Sequence, residues 1–271
     1  MNNCGKFSRR ELISLAAGAL ATAAFSDLAS GQEKPAVKAV TAPSSPVAIG
    51  RCDSYDAGKV QACLHDIFDK TGSLASLVRG KTVTIKINAT GGMDDTDRMP
   101  PVREFQTHPE VVRSVVGLLG SAGAARIRIV ESASWNGPLE QFLHDAKWDL
   151  QAIKAAGKKV EFENTRNLGN GKEYVRLEVP GGGLIFPAYY LNHSYIDTDV
   201  FISISKLKSH AIAGITLSMK NLFGITPNSL YGTDAGNSGN ENATGARSYV
   251  LHNGWLIPPV GITPPHKKCN A

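Results

Sequence analysis

Residues 107–130 read THPEVVRSVVGLLGSAGAARIRIV. Thr107 or His108 is placed to cap a helix, and Pro109 suits the first helical position, where an N–H has no intrahelical partner. Glu110 puts a negative charge in the first turn, where the helix dipole favours it. Val111, Val112, Val115, Val116, Leu118 and Leu119 recur at helical spacing, and the segment 120–123, with a glycine at each end, stops the run. Ala125-Arg126-Ile127-Arg128-Ile129-Val130 then reads as a short strand. Upstream, Thr82-Val83-Thr84-Ile85-Lys86-Ile87-Asn88 is another β-branched strand. The order strand, helix, strand predicts a parallel sheet with right-handed crossovers.

The pattern continues on both sides. Residues 139–156 read as a second crossover helix and 159–163 as a further strand. Residues 199–204 carry the apolar run Val200, Phe201, Ile202 and Ile204, which predicts a strand buried on both faces. Between these, Tyr174-Val175-Arg176-Leu177-Glu178-Val179 alternates with period two, and Pro180-Gly181-Gly182-Gly183 is a turn. Leu184-Ile185-Phe186 begins the return strand of a β insertion. Before the first core strand, Val60, Cys63, Leu64, Ile67 and Phe68 mark an amphipathic helix, and Val47-Ala48-Ile49 is a short strand candidate. The fold class is therefore α/β: a mostly parallel, Rossmann-like sheet with crossover helices, plus a small β-hairpin insertion. Segment 93–106, with acids, arginines and two prolines, reads as a long loop. The Gly/Asn-rich stretch 228–247 reads as an exposed, mobile loop, and 256–271, with Pro258, Pro259, Pro264 and Pro265, as an irregular tail.

The N-terminus has the order of an export signal: Arg9-Arg10, a mildly apolar Ala-rich stretch over 15–25, then small residues. The paired arginines resemble a twin-arginine (Tat) signal, which makes the Tat export machinery a partner and the periplasm, or another exported location, the destination. Cleavage is expected between residues 26 and 32. A retained signal would instead serve as a membrane anchor, although the apolar stretch falls short of the roughly 20 residues that a span needs. The domain plan is a signal over 1–31, a flexible linker over 32–46, an α/β domain over 47–255 and the tail. The Tat route carries folded proteins, which suits a cofactor loaded before export, yet no motif names a cofactor or a metal.

Composition excludes some classes. The 271 residues are 42% hydrophobic and 20% charged, as in an ordinary globular protein. The net charge of +5 is spread along the chain with no basic cluster among aromatics, which argues against a nucleic-acid partner. Cys4, Cys52, Cys63 and Cys269 form no CxxC pair, so their spacing suggests neither a zinc site nor an iron–sulfur cluster. Cys63 reads as a small core residue, with a Cys52–Cys63 disulfide as the alternative in an exported protein. P-loop, complete GxGxxG, HExxH and GxSxG motifs are absent.

Chemistry-bearing residues gather at predicted strand ends, where open α/β sheets bind ligands. Lys86 and Asn88 precede the glycines 91 and 92, and Glu131 ends the strand after His108's helix. Lys206, Lys208 and His210 follow the 199–204 strand, with Lys220 and Asn221 just beyond. Lys86, Asn88, Lys206, Lys208, Lys220 and Asn221 are the candidate ligand-binding residues, for a small anionic molecule. His210, His108 and Glu131 are the candidate catalytic residues, because imidazole titrates near neutral pH and a strand-end carboxylate can serve as acid, base or metal ligand. The plainer alternatives are solvated loop lysines, a His108 that only caps or packs, and a Glu131 that pairs with a nearby lysine.

Taken in order, Lys86-Ile87-Asn88, Thr107-His108-Pro109-Glu110-Val111-Val112, the Gly123-Ala124 turn into a strand ending at Glu131-Ser132, Lys206-Leu207-Lys208-Ser209-His210 and Met219-Lys220-Asn221-Leu222-Phe223-Gly224 resemble the DUF362 family, a domain of unknown function. The resemblance covers about residues 47–252. Members of that family often carry twin-arginine signals and some are fused to ferredoxin-like modules, so the resemblance implies an iron–sulfur protein as a candidate partner. Two departures stand out: Ile87 occupies the place of a usual proline, and the resemblance implies that the C-terminal part of the family domain is missing. Three functions follow as expectations: an exported enzyme using acid/base chemistry on an anionic substrate, a ligand-binding or redox-accessory protein, and a truncated inactive paralogue. A histidine within hydrogen-bond reach of Glu131 would favour the first; lysines and asparagines lining a shallow groove would favour the second.

Overall fold

The computed structural model describes residues 45–90, 101–133, 136–182, 186–210 and 213–231. The export signal, all but the last two residues of the linker, the loop beyond residue 231 and the tail lie outside the described residues. In chain order the elements are α1 (Ala57–Thr71), α2 (Leu74–Val78), β1 (Thr82–Lys86), α3 (Pro101–Glu104), α4 (Pro109–Ser121), β2 (Arg126–Glu131), α5 (Leu139–Asp145) and α6 (Leu150–Ala155). There follow β3 (Val160–Asn164), β4 (Val175–Glu178), β5 (Ala188–Leu191), β6 (Val200–Ser203), β7 (Lys208–His210), β8 (Gly214–Thr216), α7 (Ser218–Asn221) and α8 (Asn228–Tyr231).

The fold is α/β. Four parallel strands run in the order β3-β2-β1-β6, with β4–β5 and β7–β8 as separate antiparallel hairpins. The register Val83↔Ile127 and Ile85↔Ile129 stacks apolar residues on one face of the sheet. There they pack on Val112, Val115, Val116 and Leu119 of α4 and on Phe142 and Leu143 of α5, all buried. Each such side chain stabilises the fold by roughly 1.5–3 kcal/mol. Alternate residues point the other way, and most of these are polar, with Val130 and Phe201 as the apolar exceptions. Thr84 Oγ1 donates to Ser194 O at 3.2 Å, and Arg128 donates to Asp197 O and Asp197 Oδ2, each at 3.0 Å. The second face is thus closed by hydrogen bonds to segment 192–197, and Lys86 belongs to that polar row.

Several expectations are corrected. β6 is not buried on both faces: it pairs only with β1 at the end of the sheet order, and Phe201 is 38% exposed. The helix expected over 139–156 is broken, because Lys147 takes φ 66° and Asp149 caps a new helix by accepting from Ala152 N. Val47 and Ile49 find no strand partner and are 86% and 88% exposed. Part of the expected loop 93–106 is helical, as α3. The start of the expected mobile loop is also ordered: α8 packs Leu230 and Tyr231 against Tyr174 and Phe186, and Tyr231 Oη accepts from Tyr190 N at 2.9 Å. Cys52 and Cys63 are free thiols.

Candidate functional site

Lys86 is the last residue of β1 and Glu131 the last of its neighbour β2. Lys86 Nζ donates to Glu131 Oε1 at 2.5 Å, and both side chains are 1% exposed. The ammonium also donates to Ile87 O at 2.7 Å and to Asn221 Oδ1 at 3.3 Å. Glu131 accepts further from Ser132 N at 2.8 Å and Ala89 N at 2.6 Å. A buried ion pair needs such additional partners to offset desolvation. Gly224 leaves room for the pair: a Cβ there would lie 3.0 Å from Lys86 Nζ and 3.4 Å from Glu131 Oε1.

Two carboxamides stand beside this pair. Asn88 Nδ2 donates to Asn221 Oδ1 at 3.3 Å. Thr107 holds Asn88 in place, donating from its backbone N to Asn88 O at 2.7 Å and accepting from Asn88 N through Oγ1 at 2.9 Å. The same hydroxyl donates to Ile204 O at 2.8 Å, linking the ends of β1 and β6. Thr107 therefore acts as a clamp, while His108 caps α4 by accepting from Glu110 N at 3.2 Å.

The β7–β8 hairpin forms the wall. Its register pairs Lys208 with Thr216 and His210 with Gly214, so these four share one face and Ser209 and Ile215 take the other. Lys208 Nζ donates to Thr90 Oγ1 at 2.9 Å and to Phe105 O at 2.7 Å. Burial lowers its pKa, Glu131 opposes that shift, and Lys220, Lys206 and Lys86 add to it. The pKa of His210 is lowered by burial and then by Lys220 and Lys208. His210 Nδ1 accepts from Ala213 N at 3.1 Å, which leaves Nε2 to carry the proton of the neutral ring. Lys220 Nζ lies 4.6 Å from the centroid of the Phe223 ring.

Together these residues line a cleft of about 200 Å³. Of the nine candidate residues read from the sequence, seven line it: Lys86, Asn88, Glu131, Lys208, His210, Lys220 and Asn221. His108 and Lys206 do not. They hold Tyr55 instead: its ring stacks on His108 at 3.7 Å between centroids, and Lys206 Nζ donates to Tyr55 Oη at 3.3 Å and to Val102 O at 3.4 Å. Thr90, Ser132, Thr216, Phe223 and Gly224 also line the cleft; none is among the nine candidates, although Ser132, Phe223 and Gly224 stand inside the motifs quoted above. The signal for Thr216 is slight: the β-branched pair Ile215-Thr216 directly after Gly214.

Glu131 is the one acid among the described lining residues, and it pairs with Lys86, while Lys208 and Lys220 lie in the same lining. A second polar cluster has no signature in the sequence. Glu163 accepts from His193 Nε2 at 2.9 Å, from Asn170 N at 2.9 Å and from Ser194 Oγ. Burial pushes the Glu163 carboxyl up, and these hydrogen bonds more than offset it, so its pKa is lowered. Ser194 is fully buried, so this cluster ties β3 to segment 192–197. Among the described residues no three His, Cys, Asp or Glu side chains are grouped to hold a metal ion. Among them, too, no helix is long and apolar enough to cross a membrane.

A family model described as "Domain of unknown function (DUF362)" matches residues 83–244. The thylakoid-associated protein sll1697 of Synechocystis sp. is 29% identical over 187 residues, which cover 67% of this chain and 50% of that protein. The chain thus spans about half the length of the curated relative it matches. No solved structure matches it.

Proposed function

The chain belongs to the DUF362 family, and because that family is described only as a domain of unknown function, we propose a function from the cleft itself: an exported protein that binds a small anionic ligand at the carboxyl ends of β1 and β2. The observation that carries this reading is the charge balance. Lys86 pairs with Glu131, and Lys208, whose hydrogen bonds go to the neutral oxygens Thr90 Oγ1 and Phe105 O, brings a further positive charge, with Lys220 in the same lining. The volume, about 200 Å³, lies below the roughly 300–1,000 Å³ typical of ligand pockets, so the ligand is small. Binding is favoured over acid/base catalysis. Glu131 already accepts three hydrogen bonds, and His210 Nδ1 already accepts one from Ala213 N. Export rests on Arg9-Arg10 and the apolar stretch that follows.

Calorimetry with inorganic phosphate tests the binding. Lys208→Ala and Lys220→Ala should each weaken it roughly 10- to 100-fold, the worth of a charge-assisted hydrogen bond. Lys59→Ala, at an exposed pair with Asp53, should leave it unchanged. Binding that is indifferent to both cleft lysines would remove the cleft from consideration.

A further inference from the structure

The carboxamides in the cleft constrain the ligand beyond its charge. Lys86 Nζ can only donate, so the Asn221 atom it meets at 3.3 Å is the carbonyl oxygen Oδ1. Asn221 Nδ2 then faces two acceptors, Lys86 O at 3.3 Å and Ser203 Oγ at 3.0 Å, which fixes the same orientation from the other end. Asn88 reaches that Oδ1 as well, and can do so only with its amide nitrogen, at 3.3 Å. Its own Oδ1 is thereby an acceptor turned away from Asn221. That oxygen is buried and receives no hydrogen bond, and so is Thr216 Oγ1 in the hairpin wall. Asn88 and Thr216 are 4% and 2% exposed, and both line the cleft. An orphaned buried polar atom costs stability, so two in one cleft mark a place that a bound group completes.

We propose that the ligand is an anion that carries a hydrogen-bond donor of its own. Its charge lies against Lys208 and Lys220, its X–H reaches Asn88 Oδ1, and the Thr216 hydroxyl, able to donate or accept, completes the contact. The proposal rests on the anion-binding reading and adds selectivity to it. Sulfate at neutral pH presents acceptors only and would set lone pairs against Asn88 Oδ1. Hydrogenphosphate keeps a P–OH across the neutral range, and a carboxylate with a neighbouring hydroxyl offers the same pairing.

The test is calorimetry of the full chain at neutral pH with two matched pairs of probes: phosphate against sulfate, and glycolate against acetate. At least one pair should show the donor-bearing anion binding about tenfold tighter or more, and the pair that does so identifies the source of the donor. Asn88→Leu, close to asparagine in shape, should bring the two anions of that pair to equal affinity. Equal affinities within both pairs in the unmodified protein would overturn the proposal while leaving the anion site standing, whether or not the variant folds. Selectivity that survives in Asn88→Leu would overturn it too. No binding by any of the four would overturn both the proposal and the anion site.

Discussion

The Lys86–Glu131 pair is what holds the floor of the cleft together. Both side chains are 1% exposed, so removing one leaves the other buried without its charge partner in this pair. Breaking a buried pair of this kind destabilises a protein by about 3–5 kcal/mol. Glu131→Gln and Lys86→Met should each lower stability to urea by that amount, and the double variant should lose clearly less than the sum of the two. Additive losses below about 1 kcal/mol each would mean that the pair is not coupled. The sequence marks both residues as strand ends but leaves Glu131 open as acid, metal holder or partner of a lysine. The pairing becomes visible only when β1 and β2 lie side by side, because it joins residues far apart in the chain. His108 and Lys206 show the reverse limit. Their positions at a helix start and a strand end resemble those of the cleft residues, and only the three-dimensional path takes them to Tyr55.

At the scale of elements, α4 and β2 are plain in the sequence because thirteen helical residues and six strand residues are long enough to show a period. β7 and β8, three residues each, are not, although they carry Lys208, His210 and Thr216. The break between α5 and α6 is hidden for a different reason: the apolar spacing continues through it, and only Lys147 in the left-handed region and the Asp149 cap mark it. The α4 cap itself titrates. Burial lowers the His108 pKa below 6.5, Lys206 and Arg103 lower it further, and Glu110 opposes them. The folded state therefore binds the His108 proton less readily than the unfolded chain. Its stabilising contribution is present above pH 6.5 and is lost as pH falls through that value toward the lowered one. His108→Asn keeps a capping acceptor and removes the titration. The urea midpoint of the variant should fall less steeply on acidification than that of the unmodified chain; an unchanged slope would place the acid sensitivity elsewhere.

For the molecule as a whole, one sheet serves two purposes. Its helix-covered face is apolar and supplies the core, and its other face is polar and buried, with Lys86 in its row at the carboxyl end. The parallel sheet is legible because β-branched runs alternate with an amphipathic helix. The polar second face is not, because Thr84 and Arg128 look like solvent-facing residues until segment 192–197 closes over them. The cleft follows from that arrangement: Lys86 and Glu131 form its floor, and the β7–β8 hairpin and α7 bring two further lysines over it. Anomalous diffraction from crystals soaked in arsenate, whose hydrogenarsenate form keeps an As–OH at neutral pH, would locate the bound anion directly. The strongest peak is expected between Lys208 and Lys220, beside Asn88. A peak at the His108 and Lys206 end, with none in the cleft, would contradict the proposed anion site.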